Sequence, residues 1–315
     1  MINIYKIPKE VQMMKNKIHT SILIIILVAG LFIITGCGGG EEKVTTTGAF
    51  IGGTQGIVTN FEAFGVEEGN VDTIFDTETF PLEVTLKNKG EYKLKPGDIT
   101  VKLLGPSQDE FKGVSSWELK NKGEIDIISE LLPTGGEETL TFATDAQYTQ
   151  DVTGLSDREW FANIDYNYQT YLIIPEVCLK EDLNDKRVCE VKESKDFSVS
   201  GAPITVKSVE EDTAGKGIIA LKIKVNNAKN GKVTKLGEEF GIRDTFSLSI
   251  DDSVWECKSG GKVDEVRLID NEAEIVCKLK NALSEGSLST KQIKITFDYK
   301  YRDIIQKKLR IKESG

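Results

Sequence analysis

Thiols are the first residues whose type and spacing suggest chemistry: Cys37, Cys178, Cys189, Cys257 and Cys277. Ten residues separate Cys178 from Cys189, and nineteen separate Cys257 from Cys277. Zinc knuckles want about two to four residues between paired ligands, so these gaps are too long. Four cysteines allow three connectivities. The local one, Cys178 with Cys189 and Cys257 with Cys277, closes a hairpin-sized loop in each half of the chain. Such bridges persist in oxidising compartments. Cys37 is then the odd one out, at the end of an apolar run.

The remaining catalytic repertoire is narrow. His19 is the single histidine and lies in the N-terminal leader, so a processed chain would have none. That excludes Ser-His-Asp and Cys-His arrangements and every histidine metal site. Phosphate-loop and nucleophile-elbow motifs are missing, and "IGGTQG" at 51–56 precedes a strand pattern where a phosphate cradle needs a helix. Paired carboxylates could hydrolyse glycosides on a sandwich fold, yet no pair stands out. "EDLND" at 181–185 and "DNE" at 270–272 could offer oxygens to calcium, although Asp and Asn are equally the residues of turns. Ile164, Tyr166 and Tyr168 share one strand face, as do Phe297, Tyr299 and Tyr301. Those rows read as core, with Asp165, Asn167, Gln169, Asp298, Lys300 and Arg302 facing solvent. Trp117, Trp160 and Trp255 are candidates for exposed contacts. No catalytic residue, metal or cofactor is expected.

The leader supplies the address. Lys6, Lys9, Lys15 and Lys17 precede "SILIIILVAGLFIITG" at 21–36, the order of a secretory signal; translation could also start at Met13 or Met14. Sixteen residues span only about 24 Å as a helix, short of a ~30 Å hydrocarbon core. Ile34-Thr35-Gly36-Cys37 resembles the lipobox of prokaryotic lipoproteins, an aliphatic residue and two small ones before the lipidated cysteine. The resemblance implies a diacylglyceryl group on Cys37 and cleavage before it, and two acyl chains anchor stably. An uncleaved anchor is the alternative, with the body still outside. Residues 37–47, rich in glycine, then read as a flexible tether.

Charge narrows the partners. The chain carries 40 basic and 50 acidic residues over 315 positions. Four lysines and Glu10 precede Cys37, so 36 bases face 49 acids beyond it, a net charge of −13. Only six of those bases are arginine. Such a body repels phosphate backbones, and nucleic acid is not expected as a partner.

Elements that could position these residues are strands. "PLEVTLKNKG", "DITVKLLG" and "EETLTFAT" alternate at period two between Gly, Asn, Asp and Pro turns, and long helical periodicity is missing. A second set begins after Ser200-Gly201-Ala202-Pro203, and "IDYNYQ" at 164–169 echoes "FDYKYR" at 297–302. "GIVTNFE" at 56–62 likewise echoes "PITVKSVE" at 203–210. Tandem copies of one sandwich follow. Asn88 and Gly90, then Leu132, Pro133 and Gly135 or Gly136 before Leu140 and Phe142, resemble the CARDB-type immunoglobulin-like module of prokaryotic surface proteins. That resemblance implies display, spacing or adhesion.

The expectation is all-β: two tandem immunoglobulin-like β-sandwich domains after an N-terminal signal or anchor helix. Its parts are signal 1–36, tether 37–47, a CARDB-like first domain 48–200 and a second 201–315. The protein would be a membrane-anchored extracytoplasmic binding or structural lipoprotein, used in adhesion or envelope spacing. It would not be an enzyme, and it would hold an unknown protein or glycan partner. A carbohydrate-binding or carbohydrate-active surface protein is the alternative.

Overall fold

The structure, a computed structural model, describes residues 48–185 and 187–315. The signal segment, Cys37 and the tether lie outside the described residues. Within them the chain is an all-β sandwich fold, and its one helical turn is the 3-10 segment Gln108–Glu110.

One strand plan occurs twice. The first copy runs β1 (Ile57–Phe61), β2 (Thr79–Asn88), β3 (Ile99–Gly105), β4 (Phe111–Lys112), β5 (Glu118–Lys120), β6 (Glu137–Tyr148) and β7 (Leu155–Lys180). The second runs β8 (Ile204–Gly215), β9 (Ile218–Asn227), β10 (Thr245–Ile250), β11 (Trp255–Ser259), β12 (Glu265–Arg267), β13 (Glu272–Leu279) and β14 (Leu288–Lys312). One face of the first copy is ordered β1-β2-β6-β4, and its counterpart is β8-β9-β13-β11. The opposing strands form one shared sheet, ordered β12-β10-β14-β7-β3-β5. Shorter strands such as Val71–Phe75 add to its margins.

Backbone bonds repeat as well. Lys89 N–H donates to Gly56 O at 2.8 Å, and Ala228 N–H donates to Pro203 O at 2.8 Å. Asn88 N–H meets Gly136 O at 2.9 Å, and Asn227 N–H meets Asn271 O at 2.9 Å. These pairs sit at the same points of the two copies.

The copies meet through their last strands. β7 and β14 pair antiparallel from Leu155 opposite Lys312 to Lys180 opposite Leu288. The last strand of each copy thus fills the hydrogen-bonding edge of the other's. The chain passes from the first copy to the second through buried Ser200, Gly201, Ala202 and Pro203, and the described residues belong to one compact unit. Period-two alternation marks which face of a strand is buried. It is blind to which strand fills the hydrogen-bonding edge, so the shared ladder was not foreseen.

Alternation along β7 buries every second residue from Trp160 to Ile174. Ile164, Tyr166, Tyr168, Phe297, Tyr299 and Tyr301 are all fully buried, at 0% exposure. Trp160 is buried among Phe64, Phe80 and Phe111, with Trp117 stacked on it at 5.8 Å between ring centres. Trp255 is buried too. The tryptophans are therefore packing residues rather than exposed contacts. Residues between the buried ones are half-buried and cross-linked: Arg302 forks onto Asp165 at 2.5 and 2.6 Å, and Gln169 reaches Asp298 at 2.5 Å. They were expected to face solvent freely. Neighbouring strands instead bring opposite partners within reach.

Each copy closes with the same lock. Tyr168 donates its hydroxyl to Asn88 Oδ1 at 3.1 Å and accepts Tyr92 N–H at 3.4 Å. Tyr301 donates to Asn227 Oδ1 at 2.8 Å and accepts Gly231 N–H at 3.1 Å. Asn88 Nδ2 reaches Tyr92 O at 2.8 Å, and Asn227 Nδ2 reaches Gly231 O at 2.8 Å. In both cases the acceptor lies four residues on. Glycine is needed where the tyrosine comes in: a Cβ on Gly90 would stand 2.1 Å from the Tyr168 hydroxyl, and one on Gly231 would stand 2.3 Å from the Tyr301 ring.

Candidate functional site

Candidates named from sequence turn out to be internally satisfied. The Cys178–Cys189 and Cys257–Cys277 bonds are both formed, with Cα separations of 5.7 and 3.9 Å. Inside the first loop, the ammonium of buried Lys180 donates to Asp185 O at 2.8 Å and Cys189 O at 2.7 Å. One carbonyl of the 181–185 loop, that of Asp185, thus faces a lysine of the same chain. Arg187, 2.6 Å from Asp185, holds that carboxyl down at about 2. At 270–272, Asp270 and Asn271 take positive φ of 52° and 65°, as in a turn, and Glu272 pairs with Lys207. No cluster of three His, Cys, Asp or Glu side chains is placed to hold a metal among the described residues.

The "IGGTQG" segment also has its anion built in. Ile51 and Gly52 N–H groups bind the Glu91 carboxylate at 2.9 Å each, and Gly201 N–H binds it at 2.8 Å. Backbone donors that could cradle a phosphate therefore tie the first copy's turn to the crossing between copies.

What remains is a groove of about 880 Å³ on the second copy. It lies where the chain leaves β11, turns through Gly260 and Gly261, and crosses to β12 in the shared sheet. Its floor is the outer face of β11 and β13: Glu256 stands opposite Lys278, and Lys258 opposite Val276. The inward residues of those strands, Cys257 and Cys277, bridge the same two strands beneath that floor. Arg243, Thr245, Arg267 and Ile269 complete the lining, with Thr245 paired to Arg267 across the β10–β12 ladder.

Electrostatics sets the groove apart. Four of the six arginines hold carboxylates: Arg158 with Glu110, Arg187 with Asp185, Arg302 with Asp165 and Arg310 with Asp157. The other two, Arg243 and Arg267, both line the groove. Among the described residues, neither has a carboxylate within ion-pair distance, and neither does Lys278. Lining carboxylates are partly neutralised, Glu256 by Lys258 at 2.5 Å and Glu265 by Lys262 at 2.5 Å and Lys235 at 2.9 Å. Ile269 is 65% exposed, and Val263, beside lining Lys262, is 46% exposed.

On the equivalent face of the first copy the exposed side chains bond one another. Thr141 Oγ1 donates to Glu83 at 2.7 Å, and Thr85 meets Thr139 at 2.9 Å and also bonds Glu62. Val84 faces Leu140 as Ile223 faces Ile275, so Thr139 and Thr141 stand where the second copy has Glu274 and Val276. Sequence reading missed the groove because its residues are spread from 243 to 278 in turns and short strands. The scarcity of arginine, six in an acidic chain, was the one available signal, and it does not say which of the six lack a carboxylate. No known family model matches this chain, and no curated protein matches it.

Proposed function

We propose that the protein is a membrane-anchored extracytoplasmic binding lipoprotein, held by lipid on Cys37 and raised from the bilayer by the 37–47 tether. Its task is to present one rigid, two-copy body to a partner at the cell surface, in adhesion or envelope spacing. The observation that carries this reading is the interlock of β7 and β14, which couples the copies into one platform with the groove on one side. Two internal disulfides suit an oxidising, extracytoplasmic setting. The resemblance of the first copy to CARDB-type surface modules points the same way. A sugar-binding role finds less support, since the groove lining holds no aromatic ring on which a sugar face could stack.

The test is cell fractionation with fatty-acid labelling in the native host. The wild-type protein should take up label, sediment with membranes and be cut by protease added to intact cells. Cys37→Ser should lose the label. An unlabelled wild-type protein, or one shielded from external protease, overturns the proposal.

A further inference from the structure

We infer that the groove between β11, β13 and β12 binds an extended peptide segment bearing spaced carboxylates, supplied by another surface protein. The inference deepens the binding role proposed above and names its partner's chemistry. Its footing is the pair of guanidinium groups left free in a body that carries 49 acidic residues beyond Cys37. Every other arginine has found an acid; among the described residues Arg243 and Arg267 have not, and they share one concavity with Lys278. A guanidinium presents a planar fork that matches a carboxylate bidentately, which makes it a reader of such groups rather than a generic positive charge.

Three features select a peptide over other anions. First, the lining counts Arg243, Lys258, Lys262, Arg267 and Lys278 against Glu256, Glu265, Glu272 and Glu274. Its net charge is therefore near +1. A polyanion would meet as much repulsion as attraction there, whereas single carboxylates set apart along a chain can meet the free arginines and avoid Glu274. Second, Ile269, Val276 and Ala273 put apolar surface between the charges, and exposed Val263 adjoins them. Aliphatic side chains alternating with acids would cover it. Third, the lining has no aromatic side chain, so a uronic-acid sugar gains no stacking.

The duplication adds an internal comparison. Both copies keep the strand plan and the Asn–Tyr lock, yet only in the second is the outer face of this strand lined by arginines without a carboxylate among the described residues. In the first, Thr85, Thr139, Thr141, Glu62 and Glu83 satisfy one another. A feature present in one copy of a repeated frame is separable from what the frame needs to fold.

The test is isothermal titration of the full-length protein in detergent micelles with a six-residue peptide alternating glutamate and valine. Parallel titrations use the glutamine–valine peptide and trigalacturonate. Saturable binding of the acidic peptide is expected, weakened by about tenfold or more in the Arg243→Gln/Arg267→Gln double variant. Arg187→Gln, an exposed arginine remote from the groove in sequence and lining, should bind as wild type does. Neither groove arginine makes an ion pair, so the double variant should keep its urea midpoint. Equal binding of the two peptides, no loss in the double variant, or trigalacturonate binding without peptide binding each overturns the inference. The titration does not depend on Cys37, so its failure is distinct from a failure of the anchoring proposal.

Discussion

Asn167 on β7 stands directly opposite Lys300 on β14, and Lys300 is also its own counterpart in the second copy. Tyr166 and Tyr299 correspond at a spacing of 133, as do Tyr168 and Tyr301, and adding 133 to 167 gives 300. The shared ladder therefore passes through a pseudo-two-fold axis at that pair. Such self-complementary contact is the geometry of a symmetric dimer, here within one chain.

Fragments should reveal that dimer. Residues 48–201 and 202–315 made separately would each expose a long last strand with an unfilled edge. Mixed, they should form a one-to-one complex, seen by light scattering after gel filtration; alone, they should self-associate or aggregate. Two stable monomers would contradict the interlock.

Three buried tyrosines separate the lock from mere packing. Tyr168→Phe and Tyr301→Phe each take one of two donors from an asparagine oxygen, which keeps the N–H of Gly90 or Lys229, and strip the Tyr92 or Gly231 N–H of its side-chain acceptor, at a cost of about 1–3 kcal/mol in urea unfolding. Tyr166 is as deeply buried, but its hydroxyl has no hydrogen-bond partner among the described residues. Tyr166→Phe should leave stability unchanged or slightly raised. Equal losses at all three positions would remove the lock's special role.

Alternation in "PLEVTLKNKG" and the buried tyrosine rows could be read directly, because burial repeats every second residue. The echo between "IDYNYQ" and "FDYKYR" was visible; that these segments pair with each other was not, since pairing partners leave no mark on a strand's own pattern. "EDLND" read as a turn or a calcium loop; that the neighbouring Lys180 ammonium sits on the carbonyls of Asp185 and Cys189 left no mark in the sequence. Arg243 and Arg267 carried no local motif. Their meaning comes from which carboxylates they fail to reach.

Alkaline pH should unfold the protein in one step. Burial pushes the phenols of Tyr166, Tyr168, Tyr299 and Tyr301 well above their ordinary value. In the unfolded chain they ionise near pH 10. The stability they contribute is therefore complete below about pH 10 and is lost as pH rises past it, because only the unfolded state releases the protons. Phenolate absorbance should climb steeply together with the loss of β-sheet circular dichroism. Independent, gradual ionisation of all the tyrosines while the sheet persists would contradict the buried placement.

Lys180 makes a prediction about metal. Calcium or EDTA should leave the melting temperature of the wild-type protein unchanged, while Lys180→Met should lower stability by about 1–2 kcal/mol through the unsatisfied carbonyls of Asp185 and Cys189. A rise in melting temperature with calcium would show that the loop takes an external cation after all.

The most direct measurement of the central claim, an anchored and oxidised surface protein, is intact and peptide mass spectrometry of material from native membranes, with and without reduction. The account predicts an N-terminus at lipid-bearing Cys37, with Cys178 linked to Cys189 and Cys257 to Cys277. An N-terminus upstream of Cys37 together with free thiols would contradict it.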